Sequence, residues 1–237
     1  MILCIETATS VCSVALCDRE RIISFRENTE GLSHAALLTV FINEILSEQN
    51  IKAGELEAIA VSKGPGSFTG LRIGVSVAKG IAFRASIPLI GIDTLVSMFH
   101  GVSLETRKRF NLTGTSLFCP MIDARRMEVY YALIGNDGKM TRETGAGIIT
   151  PEYFNDIPSD RKILFFGNGA GKCRDLISRP DIYFDDTFRI SAQNMRIPAY
   201  KAFDSGSFED VAYFEPFYLK DFIATVPRNS ITGKKEA

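Results

Sequence analysis

Residues 62–83, SKGPGSFTGLRIGVSVAKGIAF, constrain this chain more than any other segment. An apolar strand over Ile59–Val61 runs into a glycine–proline loop, and the loop opens directly into a helix. Gly64 and Gly66 give backbone freedom on either side of Pro65, whose own φ is fixed. Ser67 or Thr69 can cap the helix that follows. Along that helix Gly70, Gly74, Ala78 and Ala82 recur every fourth residue and leave one face almost bare. A glycine inside a helix costs about 1 kcal/mol relative to alanine, so Gly70, Gly74 and Gly80 together require a packing or functional reason. The expectation is a docking surface on which another backbone comes close. A substitution such as Gly74→Leu is then expected to block a partner while leaving the monomer folded.

Glycine-rich strand-to-helix turns also cradle phosphates, because free N–H groups and the helix dipole point at the anion. The string Gly64-Pro65-Gly66-Ser67-Phe68-Thr69-Gly70 fits neither of the two common phosphate-loop patterns. Pro65 removes a donor, and Phe68 adds bulk where a phosphate needs room.

The 237 residues suffice for one large domain or two small ones. A net charge of −1 and a pI near 6.2 supply no global basic field with which to hold nucleic acid unaided. Five cysteines, an odd number with no C-x-x-C spacing, point to reduced thiols packed as small apolar residues. The first residues enter a strand at once, without a charged n-region or apolar h-region. No apolar run approaches the ~20 residues of a membrane span. A cytoplasmic protein with no membrane partner is expected.

The pattern of elements occurs twice. Strands are predicted at Ile2–Glu6, Val11–Leu16 and Ile22–Arg26, then a helix from about Ser33 to Glu48, a strand at Ala58–Val61, and the helix ending near Ala85. A strand at Pro88–Ile92 and a short helix at Thr94–Val102 follow, and the polar, basic residues 103–115 read as a linker. The pattern restarts with strands at Leu117–Asp123, Glu128–Ile134 and near Thr141–Ile149. Helical material near Pro151–Asn155, a strand at Ile163–Phe166, a helix to about Ser178 and a helix at Ala192–Phe203 complete it. This is the outline of an α/β protein with two actin-like (ASKHA, RNase H-like) domains. Each is a mixed sheet carrying a three-stranded antiparallel meander and flanking helices. The divisions expected are 1–104, 105–220 and a tail, 221–237.

In that architecture the first hairpin of each half carries an acid, and Glu6 and Asp123 stand there. An actin-like phosphotransferase uses such acids to organise magnesium beside a glycine that touches phosphate. Here Thr7 and Ala8 follow Glu6, and Ala124 and Arg125 follow Asp123, with no glycine in either place. Glu6, Thr7, Asp123 and Arg125 therefore read as vestigial nucleotide-loop positions. The acids are expected to accept N–H bonds from their own turns. The adjacent Arg125 and Arg126 suit phosphate or acids on a partner.

Other chemistry lacks its residues. His34 and His100 belong to no metal-ligand spacing, and His34 reads as a partly exposed residue at a helix start. Gly167–Cys173 resembles a Walker loop but has its first glycine one residue too close to Gly171-Lys172, and Cys173 replaces the Ser/Thr ligand. No catalytic, metal or cofactor site is predicted. The first helix is apolar over a broad arc that includes Leu37, Leu38, Val40, Phe41, Ile42, Ile45 and Leu46, which implies burial on two sides. Leu38, Phe41 and Ile45, with Gly70, Arg72, Gly74, Ala78 and Ala82, form the candidate partner interface. The neighbouring helix alone is the competing account of that apolar arc.

Four segments together resemble the TsaB family: ILCIETAT at 2–9, GPGSFTGLRIG at 64–74, AKG at 78–80, and Asp123-Ala124-Arg125 with Glu128-Val129-Tyr130. The similarity covers both halves and is densest over residues 1–100. It implies the two actin-like domains, and a non-catalytic protein that binds and supports the catalytic paralogue TsaD, with the ATPase TsaE as third partner. Together they place threonylcarbamoyl on N6 of an adenosine beside the tRNA anticodon. The resemblance thus implies contact with tRNA through the complex, and a homodimer is the association open to the chain alone. The family usually has Asp where this chain has Glu6. TsaD-type proteins carry two metal-binding histidines in the first-helix region, where this chain offers only His34. The alternative function is an actin-like ATPase or small-molecule kinase using Glu6 and Asp123. The tail, with Lys220, Arg228, Lys234 and Lys235, is expected either to be merely solubilising or to order only in the complex, against a TsaE-like partner or tRNA phosphates.

Overall fold

The computed structural model describes residues 1–31 and 34–219. Ser33 and the expected tail, 221–237, lie outside the described residues, as does Lys220.

The first sheet has the order β3-β2-β1-β4-β5. Its strands are β1 (Ile2–Glu6), β2 (Cys12–Cys17), β3 (Ile22–Asn28), β4 (Ala58–Gly64) and β5 (Leu89–Asp93). β1, β2 and β3 form the antiparallel meander, and β4 and β5 add in parallel. β1 and β2 are buried on both faces and read as continuous apolar runs. One face is covered by α1 (His34–Glu48) and α2 (Phe68–Ala85), through Leu38, Ile42 and Ile45 of α1 and Val75, Ala78 and Ala82 of α2. These pack on Leu3, Ile5, Val14, Leu16, Ile59 and Val61. Ile2, Cys4, Ala15 and Ala60 point to the other face, which is covered by Ala192–Met195 and α5 (Arg196–Asp204). The last helix among the described residues thus returns to the first sheet.

The second sheet has the order β10-β9-β6-β7-β8. Its strands are β6 (Leu117–Asp123), β7 (Glu128–Gly135), β8 (Met140–Ile148), β9 (Ile163–Phe166) and β10 (Ile182–Asp185). One face carries α3 (Thr94–His100), whose Leu95, Met98 and Phe99 pack on Phe118, Ile122, Leu164 and Phe166. Asp93 caps α3 by accepting the N–H groups of Leu95 and Val96 at 2.8 and 3.1 Å. Asp93 also accepts a bond from Thr144 on β8 at 3.1 Å, so one carboxylate joins the two sheets.

Several local expectations differ from the structure. The residues read as a linker contain α4 (Leu104–Arg109), capped by Ser103, whose oxygen accepts the Thr106 N–H. Residues 151–157 are turns, and the helix expected to reach Ser178 is a single 3-10 turn at Gly171–Cys173. Phe154, Ile157, Cys173 and Ile177 on these turns close the second face, so burial is achieved without a regular helix. β10 was not expected. All five cysteines are free and buried.

Residues 205–219 run as a strap back across β5, β4 and α2. Glu209 N–H donates to Leu89 O at 2.8 Å and Phe217 N–H to Lys63 O at 2.6 Å. Lys79 Nζ donates to the carbonyls of Ala212 and Phe214 at 3.2 and 2.9 Å, and Phe214 enters the first core. A Cβ on Gly64 (φ +117°) would lie 2.5 Å from Phe217 O. The first glycine of the 64–74 string is therefore required by the strap as well as by its own dihedral.

Candidate functional site: an interdomain cleft and a helix pair

A cleft of about 370 Å³ opens where the β1–β2 turn faces the ends of β9 and β10, lined by Thr9, Ser10, Asn168, Asp185 and Arg189 among others. Neither hairpin acid lines it: Glu6 lies behind the turn that carries Thr9 and Ser10, and Asp123 reaches the cleft only through its backbone bond to Asn168.

Glu6 ends β1 and is fully buried. Its Oε1 accepts the Ala8 N–H at 2.7 Å, so the carboxylate closes its own turn. Burial pushes its pKa up to about 7, against the lowering pull of the Ala8 N–H, the Ser62 hydroxyl and the Thr7 N–H. Asp123 ends β6 and accepts the Arg125 N–H at 2.7 Å. Lys172 Nζ donates to Asp123 Oδ1 at 2.6 Å and to the carbonyls of Arg126 and Glu128 at 2.9 and 2.5 Å. The Asp123 N–H donates to Asn168 Oδ1 at 3.1 Å, which ties the hairpin to the cleft wall. The lysine of the Walker-like string thus neutralises the acid that a kinase would turn toward magnesium.

Two carboxylates that line the cleft, Asp185 and Asp186, are also engaged. Asp185 accepts the Thr187 N–H and hydroxyl at 2.9 and 2.5 Å and the Thr106 hydroxyl at 3.3 Å. Asp186 holds Arg174 through two bonds of 2.7 Å. Among the described residues no three His, Cys, Asp or Glu side chains converge as a metal set. With Glu6 walled in and Asp123 paired, the residues present do not fit a magnesium nucleotide.

His34 is buried rather than partly exposed, and its Nε2 donates to Val11 O at 3.1 Å. It pins α1 to the β1–β2 turn, so its environment suits a structural hydrogen bond.

The interface set divides. Gly70, Gly74, Ala78 and Ala82 are buried inside the chain itself. A Cβ on Gly70 would strike Thr7 O, and one on Gly74 would strike Thr7 Oγ1. Gly66 likewise lies against Ala8 O. The bare face does admit a close backbone, but that backbone is the chain's own Thr7–Ala8. This corrects the expectation that the stripe meets a partner, and with it the expectation that Gly74→Leu leaves a folded monomer. Leu38 and Ile45 are also interior, at 1 % and 0 % exposure. Of the eight positions only Phe41, half-buried, and Arg72, exposed, reach the surface. Arg72 lies over the Phe68 ring at 4.4 Å and donates to Tyr218 Oη at 3.3 Å, joining α2 to the strap.

The outward face of the helix pair is made by other residues. Val40 is 45 % and Phe83 80 % exposed, while Leu37, Phe41, Ile73, Val77 and Ile81 are half-buried. Gly80 is exposed, and a Cβ there would meet no described residue within 4 Å. The broad apolar arc of α1 was the sequence signal for this face, but periodicity alone does not say which side of the arc is inside.

The family model of TsaD, tRNA N6-adenosine threonylcarbamoyltransferase, matches residues 31–213. The tRNA threonylcarbamoyladenosine biosynthesis protein TsaB of Escherichia coli (strain K12) is 30% identical over 229 residues, covering 94% of this chain and 96% of that protein. The protein of the same name from Buchnera aphidicola subsp. Acyrthosiphon pisum is 33% identical over 195 residues, covering 82% and 79% of the two chains. A crystal structure from Pseudomonas aeruginosa, described as an uncharacterized protein with similarity to peptidase YEAZ, superposes with a TM-score of 0.75 at 25% identity. That superposition covers 92% of this chain and 99% of the other. With the actin-like fold, the signature string and relatives matched over nearly their whole length, the chain belongs to the TsaB family.

Proposed function

We propose that the chain is a non-catalytic subunit required for threonylcarbamoylation of N6 of an adenosine beside the tRNA anticodon. It acts in the cytoplasm by binding and supporting a TsaD-type catalytic paralogue, together with a TsaE-type ATPase, and meets tRNA through that assembly. The names of the relatives support the pathway. The observation that carries the non-catalytic role is the engagement of both hairpin acids, Glu6 by burial and its turn, Asp123 by Lys172.

The outward face of α1 and α2 is the proposed contact for the catalytic partner. An exposed glycine inside a helix sacrifices about 1 kcal/mol, and at Gly80 no atom of the described residues requires it. A closely approaching partner helix does, and Val40, Phe41, Val77 and Phe83 around it supply apolar contact. A second copy of the chain would use the same face when the chain is alone.

Calorimetric titration of magnesium-ATP into the isolated chain tests the role. Little or no binding is expected. Low-micromolar affinity that disappears in Glu6→Ala or Asp123→Ala would instead establish the ATPase or kinase alternative.

A further inference from the structure

We propose that the rim of the second sheet where β6, β9 and β10 begin contacts tRNA phosphates directly, through Lys108 and Arg109 of α4 with Arg161 and Lys162 beside them. This rests on the proposed role as a subunit of a tRNA-modifying assembly, and it adds a contact which that role does not itself require. Strand register brings the segments to one rim. Leu117 of β6 pairs in parallel with Ile163 of β9, and Ile163 with Ile182 of β10. Leu117 also pairs with Gly135, so the β7–β8 turn lies at the same end. Arg107 ties α4 to that turn through a bond from Nη1 to Asn136 Oδ1 at 2.8 Å. Arg161 Nε donates to Thr115 O at 2.9 Å, and Lys162 Nζ donates to Phe110 O and Asn111 O at 3.3 and 3.1 Å. Residues 103–115 and the approach to β9 are thereby one surface.

The charge of this surface is uncompensated. Residues 103–115 and 160–162 carry five cations against two acids, Glu105 and Asp160, on a chain whose net charge is −1. Elsewhere Arg19, Arg26, Arg142, Arg174 and Arg179 pair with carboxylates. Among the described residues Arg107, Lys108, Arg109, Arg161 and Lys162 pair with none, and the acceptors that hold Arg107, Arg161 and Lys162 are neutral. A neutral acceptor fixes a cation's position and brings no charge to offset its field. Two rings add to the placement. The Arg109 guanidinium lies 5.0 Å from the centroid of Phe110, and Lys162 Nζ lies 5.4 Å from that of Tyr183. Lys108 and Arg109 are exposed.

The surroundings favour RNA over a protein. Asn111, Thr113 and Thr115 are exposed among the cations, and their amide and hydroxyl groups suit phosphate and ribose oxygens. Leu104 is the single large apolar side chain exposed on these segments. A protein interface is built on an apolar centre, whereas nucleic-acid contacts are more polar and more positive. The rim also belongs to the second sheet, while α1 and α2 pack on the first, so the contact proposed for the catalytic partner leaves it uncovered. A net charge of −1 makes the rim a contributor within an assembly and not a strong tRNA binder alone.

The full-length chain carrying Lys108→Gln and Arg109→Gln together tests the proposal, assembled with the TsaD-type and TsaE-type proteins of the same organism. Affinity of the assembly for tRNA is measured at about 50 and about 200 mM salt. The variant is expected to keep its thermal midpoint and its affinity for both proteins, and to bind tRNA about fivefold or more weakly at the lower salt, with a smaller loss at the higher. The slope of log affinity against log salt should become shallower by about 1–2. In the wild-type assembly, addition of tRNA should protect Lys108 and Lys162 from amine acylation, read by mass spectrometry. An unchanged salt slope, or no protection of either lysine, would overturn the proposal. So would a loss of affinity for one of the proteins in place of tRNA, which would make the rim a protein contact. Failure of the wild-type chain to join either protein would overturn the subunit role itself, which the wild-type arm reads separately.

Discussion

Lys172 Nζ lies 2.6 Å from Asp123 Oδ1 and, with two further bonds to the carbonyls of Arg126 and Glu128, holds the β6–β7 turn closed. Lys172 is only 19 % exposed, so its loss leaves acceptors that water replaces poorly. Lys172→Met keeps the aliphatic stem and is expected to cost about 2 kcal/mol. That is a fall of about 4–8 °C in the thermal midpoint for a chain of this size. An unchanged midpoint would mean the three bonds are not made in solution.

The glycines of α2 are expected to separate by sign. Gly70→Ala and Gly74→Ala place a methyl against Thr7 O and Thr7 Oγ1, and each should destabilise the isolated chain by about 1–3 kcal/mol. Gly80→Ala points into open space and should stabilise it by about 1 kcal/mol. Gly80→Leu should weaken association with the catalytic partner while the monomer stays folded. Denaturant unfolding checks the first three, and sedimentation with the partner checks the last.

Glu6 makes stability depend on pH. Its carboxyl has a folded pKa of about 7 against an ordinary value of 4.5 in the unfolded chain. The folded state therefore holds the proton more tightly. This contribution is fully present below pH ~4.5 and is lost as pH rises through about 7. The loss amounts to about 3 kcal/mol. Glu6→Gln keeps the acceptor for the Ala8 N–H and should flatten the profile, becoming more stable than wild type near pH 8. Denaturant midpoints at four or more pH values across this window check it, and parallel profiles for the two chains would contradict it.

Much of the fold was legible before the structure. The two antiparallel meanders stand out because their apolar runs are bounded by turn residues, and Gly64–Gly74 marks a strand-to-helix junction in any reading. The direction of the small-residue face was not legible. Gly70 and Gly74 report that something comes close, and only the fold shows that it is Thr7. The strap was missed because Lys63, Lys79 and Arg72 meet it from more than 130 residues away in sequence, through backbone carbonyls and the Tyr218 hydroxyl that no periodic pattern announces. The string around Lys172 does not fit a phosphate motif, so nothing in the sequence marks the lysine. Its pairing with Asp123, 49 residues away, was equally invisible.

The strap should carry stability through its aromatic anchor. Phe214 is 8 % exposed and packs in the first core, and Gly91 leaves room for its ring edge, since a Cβ there would lie 2.9 Å from it. Phe214→Ala is expected to cost about 3 kcal/mol and to release the Phe217 N–H and Leu89 O from their bonds with β4 and residue 209. Amide exchange at Phe217 should accelerate more than at β6 or β7. Equal acceleration throughout would show that the strap does not open separately.

The most direct test of a non-catalytic role is reconstituted threonylcarbamoylation of tRNA with the TsaD-type and TsaE-type partners and the full-length chain carrying Glu6→Gln or Asp123→Asn. Each variant keeps the acceptor its turn requires and removes the acid that metal-dependent chemistry would need. The account predicts modification rates within about twofold of wild type for both, with omission of the chain abolishing activity. A loss of about a hundredfold or more in either variant, with the chain folded and bound to its partners, would contradict it.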